Sequence, residues 1–312
     1  MIVGSVCMSH SPLKDRTRPG LEVEARFNAA LASAAKFVAD QEPDLTIIFY
    51  PDHINGFFYG LLPSFCIGIE GASIGDYGTA AGKLCITEER ASDLARSVLD
   101  AGVDVAISHT MQIDHGAVQP LELLSESYPL QRIIPIFVNC AAPPLPTFAR
   151  ARALGGAVGD WARQAPERIL IIGSGGLSHD PPMAELASAT PEVRQRLISG
   201  SALDHAQRFA RQNRALAEGN AMAIGQSRLL PPNAEWDRKL MNAFLAGDLT
   251  LLDDCSQEDI SSVSGRGGHE VRAWVAALAA LGTGYAAQEI FCEIVDQWIT
   301  GMGILSAIPT HN

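Results

Sequence analysis

Basic charge is scarce in this chain. Its 35 Asp and Glu outnumber its 23 Lys and Arg, the formal net charge is −12, and no long basic run interrupts the acidic background. That balance argues against nucleic acid and anionic membrane as partners, and an anionic substrate would need a local basic patch to hold it. Long apolar runs are also missing: none reaches the roughly 18–20 residues of a membrane span. The opening Met1-Ile2-Val3-Gly4-Ser5-Val6-Cys7 lacks the basic region of a secretory signal and reads as a strand, so a cytoplasmic protein is expected. None of the six cysteines (Cys7, Cys66, Cys85, Cys140, Cys255, Cys292) forms a C-x-x-C pair. They read as reduced, mostly buried thiols, and a thiolate metal site has no support.

What the sequence does contain is a globular mixture, with 47 % apolar and 19 % charged residues in 312, enough for a sizeable core. Short apolar runs at 2–8, 45–50, 103–108, 133–138 and 168–172 read as strands, the second bounded by Pro43 and Pro51. Helical spacing covers 21–41, 88–101 and 146–163, and Thr87 is a plausible N-cap of the second. This alternation predicts an α/β fold with a central mixed sheet flanked by helices. From about Asp180 the texture changes, and helices are expected over 204–223, 234–246, 257–263 and 269–281. With no clear boundary, repeat or low-complexity tract, the expectation is one domain over residues 1–312. Residues 1–180 then form the strand/helix core carrying most site loops, and a mainly helical 181–312 folds back on it.

The histidines are the most informative feature. His10, His53, His115 and His179 each lie just beyond an expected strand, with turn-forming Gly, Pro, Asn or Asp beside them. In open α/β sheets the ligand crevice forms outside the carboxyl ends of the strands, so four separate loops could bring four imidazoles together. His109, His205 and His311 have no such setting and read as ordinary surface or helix residues. Two histidines and a carboxylate on one face of a metal make the non-haem iron(II) arrangement for oxygen chemistry. Among 35 acidic residues, Glu270 stands out because Gly267-Gly268-His269-Glu270 opens an apolar helix, where the dipole favours an anion and the element is rigid; a simple helix-start glutamate is the competing reading. Gly173-Ser174-Gly175-Gly176 has neither phosphate-loop nor dinucleotide spacing, nor that of a nucleophile elbow. Its glycines fit a backbone passing close to a ligand and turning His179 inward.

The stretches 9–13, 51–59, 74–82, 111–116 with 119–122, and 173–182 resemble, in order, the motifs of the class III extradiol dioxygenases, the protocatechuate 4,5-dioxygenase superfamily. The likeness is dense to about Ala189 and looser beyond. It implies an iron(II) enzyme that opens a 3-substituted catechol with dioxygen, beside rather than between the hydroxyls, with an acidic side chain on the ring. His10, His53 and Glu270 are then the metal ligands, His115 the catalytic acid, His179 the catalytic base, and Asp114 a group that orients or tunes His115. The family tendency suggests a homo-oligomer. Lys14-Asp15-Arg16-Thr17-Arg18 is a candidate for holding the substrate carboxylate, and Phe57, Phe58 and Tyr59 for walling the ring or packing in the core. Two rival readings remain at this point: a zinc hydrolase on the same ligands, and a binding protein of this fold without catalysis.

Overall fold

The computed structural model describes residues 1–200 and 203–310; His311 and the side chain of His205 lie outside what is described. In chain order the elements are β1 (Ile2–Met8), α1 (Leu21–Gln41), β2 (Leu45–Tyr50), β3 (Phe65–Gly68), β4 (Gly71–Ile74), β5 (Ala81–Lys83), α2 (Glu88–Asp100), β6 (Ala106–Ser108), β7 (Met111–Ile113), α3 (His115–Leu124), β8 (Ile133–Val138) and α4 (Phe148–Gln164). There follow β9 (Ile169–Ser174), α5 (Pro191–Ser199), α6 (His205–Ala223), α7 (Ala234–Leu245), α8 (Gln257–Ser264), α9 (Val271–Ala280), β10 (Tyr285–Val295) and β11 (Thr300–Pro309).

An eight-stranded sheet runs in the order β10-β11-β1-β9-β2-β8-β3-β6. The pairs β1–β9, β9–β2 and β2–β8 are parallel, whereas β11 pairs antiparallel with β1, and β3 antiparallel with β8. Every residue of β2, β8 and β9 is buried, as continuous apolar runs require when helices cover both faces. On one face lie α2, α4 and α9; on the other α1 and α3. In α1 the buried residues Phe27, Ala30, Leu31, Ala34, Ala35 and Val38 fall on one stripe. All ten residues of α9 are buried. It lies so close to α4 that a Cβ at Gly155 or Gly159 would stand 2.1 or 2.2 Å from the carbonyl oxygens of Ala276 and Ala280, so only glycine fits this crossing.

The α/β class and mixed sheet are as expected, and each helix expected after Asp180 is present within a residue or so of its bounds, except that 269–281 divides. Residues Arg266–Glu270 form a 3-10 turn and the α-helix starts at Val271. No strand is expected from the sequence after residue 281, yet β10 and β11 form a long hairpin that joins the main sheet beside β1. A separate small sheet, β5-β4-β7, was also not foreseen. Among the described residues no helix is long and apolar enough to cross a membrane. Cys7, Cys66 and Cys140 are buried, Cys85 is exposed, and all six cysteines are free.

Candidate active site

Three neighbouring parallel strands end at the same edge, and the loops leaving β1, β2 and β9 carry His10, His53 and His179. His115 arrives differently from expectation: it follows β7 of the small sheet, not the 103–108 strand, and is the first residue of α3, with Asp114 as the N-cap accepting from the Gly116 N–H. The loop geometry is set by side chains. Asp52 accepts from the backbone N–H groups of Asn55, Gly56 and Phe57, folding the turn that presents His53.

The four imidazoles meet. His10 Nε2 lies 3.3 Å from His53 Nε2, His53 stacks on His115 at 4.4 Å between ring centres, and the edge of His10 meets His115 at 5.5 Å. The distal nitrogens fix the tautomers. The Ser174 hydroxyl donates its single hydrogen to the Gly116 carbonyl oxygen, so towards His10 Nδ1, 3.0 Å away, it can only accept. Asp114 Oδ2 accepts from His53 Nδ1 at 2.9 Å. Both histidines therefore carry hydrogen on Nδ1 and turn Nε2 inward.

Glu270 completes the group. It ends the 3-10 turn that leads into α9, and its Oε1 lies 3.5 Å from His53 Nε2 and 3.2 Å from His179 Nε2. Its other oxygen accepts from the Gly176 N–H at 2.8 Å. The 173–176 backbone thus passes close to the carboxylate of Glu270. Backbone bonds from His179 N–H to Ser264 O and from Gly267 N–H to His179 O tie the two segments together, and the Trp274 indole donates to Gly175 O.

Burial and charge pull these groups apart. Burial drives His10 down to about 3 despite the pull of Glu270. Burial also works against protonated His53 and His179, but Asp114 and Glu270 for the first, and Glu270 for the second, outweigh it and hold both above the ordinary imidazole range. Glu270 and Asp114 would be raised by burial, yet their histidine neighbours hold both well below the usual carboxylate range. A cation that displaced the proton from His53 would find its Nε2 beside that of His10, 3.3 Å away, and next to an ionised carboxylate, so the donor set fits a divalent metal. His10, His53 and His115 also form a three-nitrogen group within 4.8 Å. Glu270 could serve as the third donor in place of His115, since an anion offsets the metal's charge.

A contact of His115 corrects the role expected of Asp114. The ring partner of His115 is Asp76, whose Oδ2 lies 2.6 Å from Nδ1 and whose Oδ1 accepts the His115 backbone N–H at 2.8 Å; Asp114 orients His53 instead. Of the basic stretch 14–18, Lys14 pairs with Asp15 and Arg18 is exposed beside Glu24, while Arg16 lies against Gly78 and acts on Tyr77. Phe57 stacks on Phe137 within the core, while Phe58 and Tyr59 pack in a side cluster with Leu197. The aromatic residues lining the histidine cavity are Tyr77 and Trp298. His109 is exposed, as expected.

The family model for the catalytic LigB subunit of aromatic ring-opening dioxygenases matches residues 4–303. The chain belongs to this family. Curated relatives span it end to end. A Rhodococcus sp protein is 45 % identical over 310 residues, covering 99 % of both chains. One from Paraburkholderia xenovorans is 44 % identical over 305 residues, 97 % of this chain and 96 % of its own. One from Azotobacter vinelandii is 42 % identical over 309 residues, 98 % and 99 % respectively. Each is named 2,3-dihydroxyphenylpropionate/2,3-dihydroxicinnamic acid 1,2-dioxygenase. As a LigB-type enzyme the protein is an extradiol ring-cleaving dioxygenase with a metal cofactor, acting on a catechol and dioxygen. The hydrolase and non-catalytic readings are thereby set aside.

Proposed function

We propose that this LigB-type enzyme uses iron(II), held by His10, His53 and Glu270, to open 3-(2,3-dihydroxyphenyl)propionate or 2,3-dihydroxycinnamate beside the hydroxyl pair. The observation that carries the reading is the meeting of four imidazoles, each with Nδ1 engaged, beside the carboxylate of Glu270. His10 and His53 have Nδ1 engaged and Nε2 turned towards one another. His115 and His179 have Nδ1 fixed by Asp76 and by the Leu177 carbonyl oxygen, leaving Nε2 as the atom that exchanges a proton. Iron(II) bound there would supply a Lewis acid for both catechol oxygens and an electron route between ring and dioxygen.

The remaining chemistry belongs to the side chains. With a metal on Glu270 drawing off the charge that raises it, His179 Nε2 is free to take the proton released when the catechol binds, and Glu270, 3.2 Å away, still lies beside the imidazolium that results. His115 Nε2 gives a proton to the oxygen that must leave as the ring carbon migrates, and Asp76 keeps its tautomer correct. Tyr77 lies edge-on to His115 at 4.8 Å and, with Trp298 and Leu13, excludes water. One catechol and one dioxygen yield one ring-opened acid carrying both oxygen atoms. The chain functions as one catalytic unit, in the cytoplasm and as a homo-oligomer.

The test is anaerobic purification, loading with iron(II) or zinc(II) in parallel, and addition of 3-(2,3-dihydroxyphenyl)propionate with oxygen uptake and visible absorbance recorded. One dioxygen consumed per catechol with a coloured product, from the iron form alone, supports the proposal. Turnover with other catechols but not with this one or the cinnamate sinks the substrate assignment, and equal turnover with zinc sinks the metal.

A further inference from the structure

The cavity lined by His10, His53, His115 and His179 measures about 70 Å³. Apart from the histidines, its one charged lining residue is Arg211. Past Tyr77 and Arg211, which line both spaces, a second cavity of about 160 Å³ opens towards α5 and α6 and takes in Arg196 and Arg208. The single carboxylate lining it is Asp76, and both its oxygens are already taken by His115.

None of these three arginines has a carboxylate partner among the described residues. Arg211 donates to the neutral oxygens of Asn55 and His53, at 2.8 and 2.7 Å, and Arg208 to the carbonyl of Ile74 at 3.1 Å. Arg26, Arg152, Arg238 and Arg266 by contrast each have an acid at 2.5–2.8 Å, while Arg168, Arg194 and Arg272 stand singly on neutral oxygens. In a chain of net charge −12, three unpaired guanidinium groups facing one cleft repel each other. Burial lowers Arg196, and the nearby Arg211 and Arg214 lower it further. Such an arrangement is relieved by an anion, and guanidinium groups match a carboxylate in shape and hydrogen bonding.

We propose that Arg196, Arg208 and Arg211 form the subsite that holds the side-chain carboxylate of the substrate, with the catechol ring in the histidine cavity and the acid in the adjoining one. This rests on the ring-cleavage reading above and assigns its specificity for acidic catechols. Arg211, tied to the backbone of the loop that presents His53, links the two spaces, so the acid's position is registered at the metal ligands.

The experiment compares 3-(2,3-dihydroxyphenyl)propionate with 3-propylcatechol, a neutral analogue, on the iron-loaded wild type, R208M, R211M and R208K. Removing either arginine should reduce kcat/KM for the acid about 10- to 100-fold, mainly through KM. The reduction for 3-propylcatechol should be at least tenfold smaller, and R208K should recover part of the loss. A parallel fall for both substrates, or no loss for the acid, overturns the subsite. Calorimetric binding of 3-phenylpropionate, which has the acid but no hydroxyls, separates this proposal from the reaction itself. Binding by the wild type that weakens in R208M and R211M supports the subsite even if no catechol is opened. Wild-type ring opening without such binding leaves the reaction standing and removes the subsite.

Discussion

Asp76 grips His115 twice, accepting its backbone N–H at 2.8 Å and its Nδ1 at 2.6 Å. The two residues come from different parts of the small-sheet region, and the pairing decides which ring nitrogen can donate a proton. An amide at position 76 can present its own N–H to Nδ1 and select the other tautomer. D76N should therefore lose about 10²-fold or more in kcat while retaining metal, and D76E should recover part of it. Metal content by elemental analysis beside kcat checks this; a loss of metal in proportion to activity would place Asp76 in the metal site instead.

Asp114 has the corresponding duty for His53, accepting from its backbone N–H and its ring at 2.9 Å each and from the Asn55 amide at 2.9 Å. Loss of such outer partners of a metal ligand weakens metal binding about 10- to 100-fold. D114N should release metal to a chelator at correspondingly lower concentration, and saturating metal should restore much of its turnover.

Gly267 stands against the imidazole that Glu270 holds. A Cβ there would lie 2.0 Å from His179 Nε2, so the ring must swing away. G267A should fold with a cost of about 1–3 kcal/mol, keep its metal and lose at least about tenfold in kcat. Gly156, in α4, has nothing within 4 Å of its added Cβ. G156A should be neutral or stabilising by about 0.5–1 kcal/mol in a urea melt, which makes it the control.

Asp237 fixes the loop before His179 by accepting from the Ser178 N–H at 2.7 Å and its hydroxyl at 2.8 Å. Burial raises its carboxyl from 3.8 to about 6, against the opposing pull of those two bonds. Protonation therefore favours the folded chain. This contribution is complete below about pH 4 and lost as the pH rises through about 6. D237N cannot ionise, so its stability relative to wild type should improve by about 2–3 kcal/mol between pH 4 and pH 7, read from urea melts at both. A difference that is flat with pH would mean that Asp237 is ionised throughout.

The strands at Ile2–Met8, Leu45–Tyr50 and Ile133–Val138 were legible to the residue because a parallel strand covered on both faces must be apolar throughout and ends where a turn former begins. The final hairpin was not. β10 lies at the sheet edge and is only partly buried, so it lacks that run, and β11 carries Gly301 and Gly303. A Cβ at Gly301 would lie 1.8 Å from an oxygen of Asp237, a tertiary demand that looks locally like a turn. Chemistry-bearing histidines were visible because each follows a strand. Their partners were harder: Asp76 and Ser174 sit inside stretches that were noticed, with nothing in their spacing to say which imidazole they would hold. Charge was legible only where it was locally dense. The dense basic run at 14–18 drew attention by local composition, whereas Arg211 is one arginine on a polar helix, distant in sequence from the His53 carbonyl to which it donates at 2.7 Å.

The order in which the proposed metal donors leave the ribosome follows from their positions. His10 and His53 are made early, Glu270 only after most of the 312 residues. Trp298 and Thr300, which line the same cavity, are later still. A growing chain therefore holds two imidazoles without the carboxylate that completes them, and without the last strands that close the cavity. On that donor set, tight capture of the metal waits for Glu270 and for the strands made after it, so the centre first assembles in a chain able to enclose it.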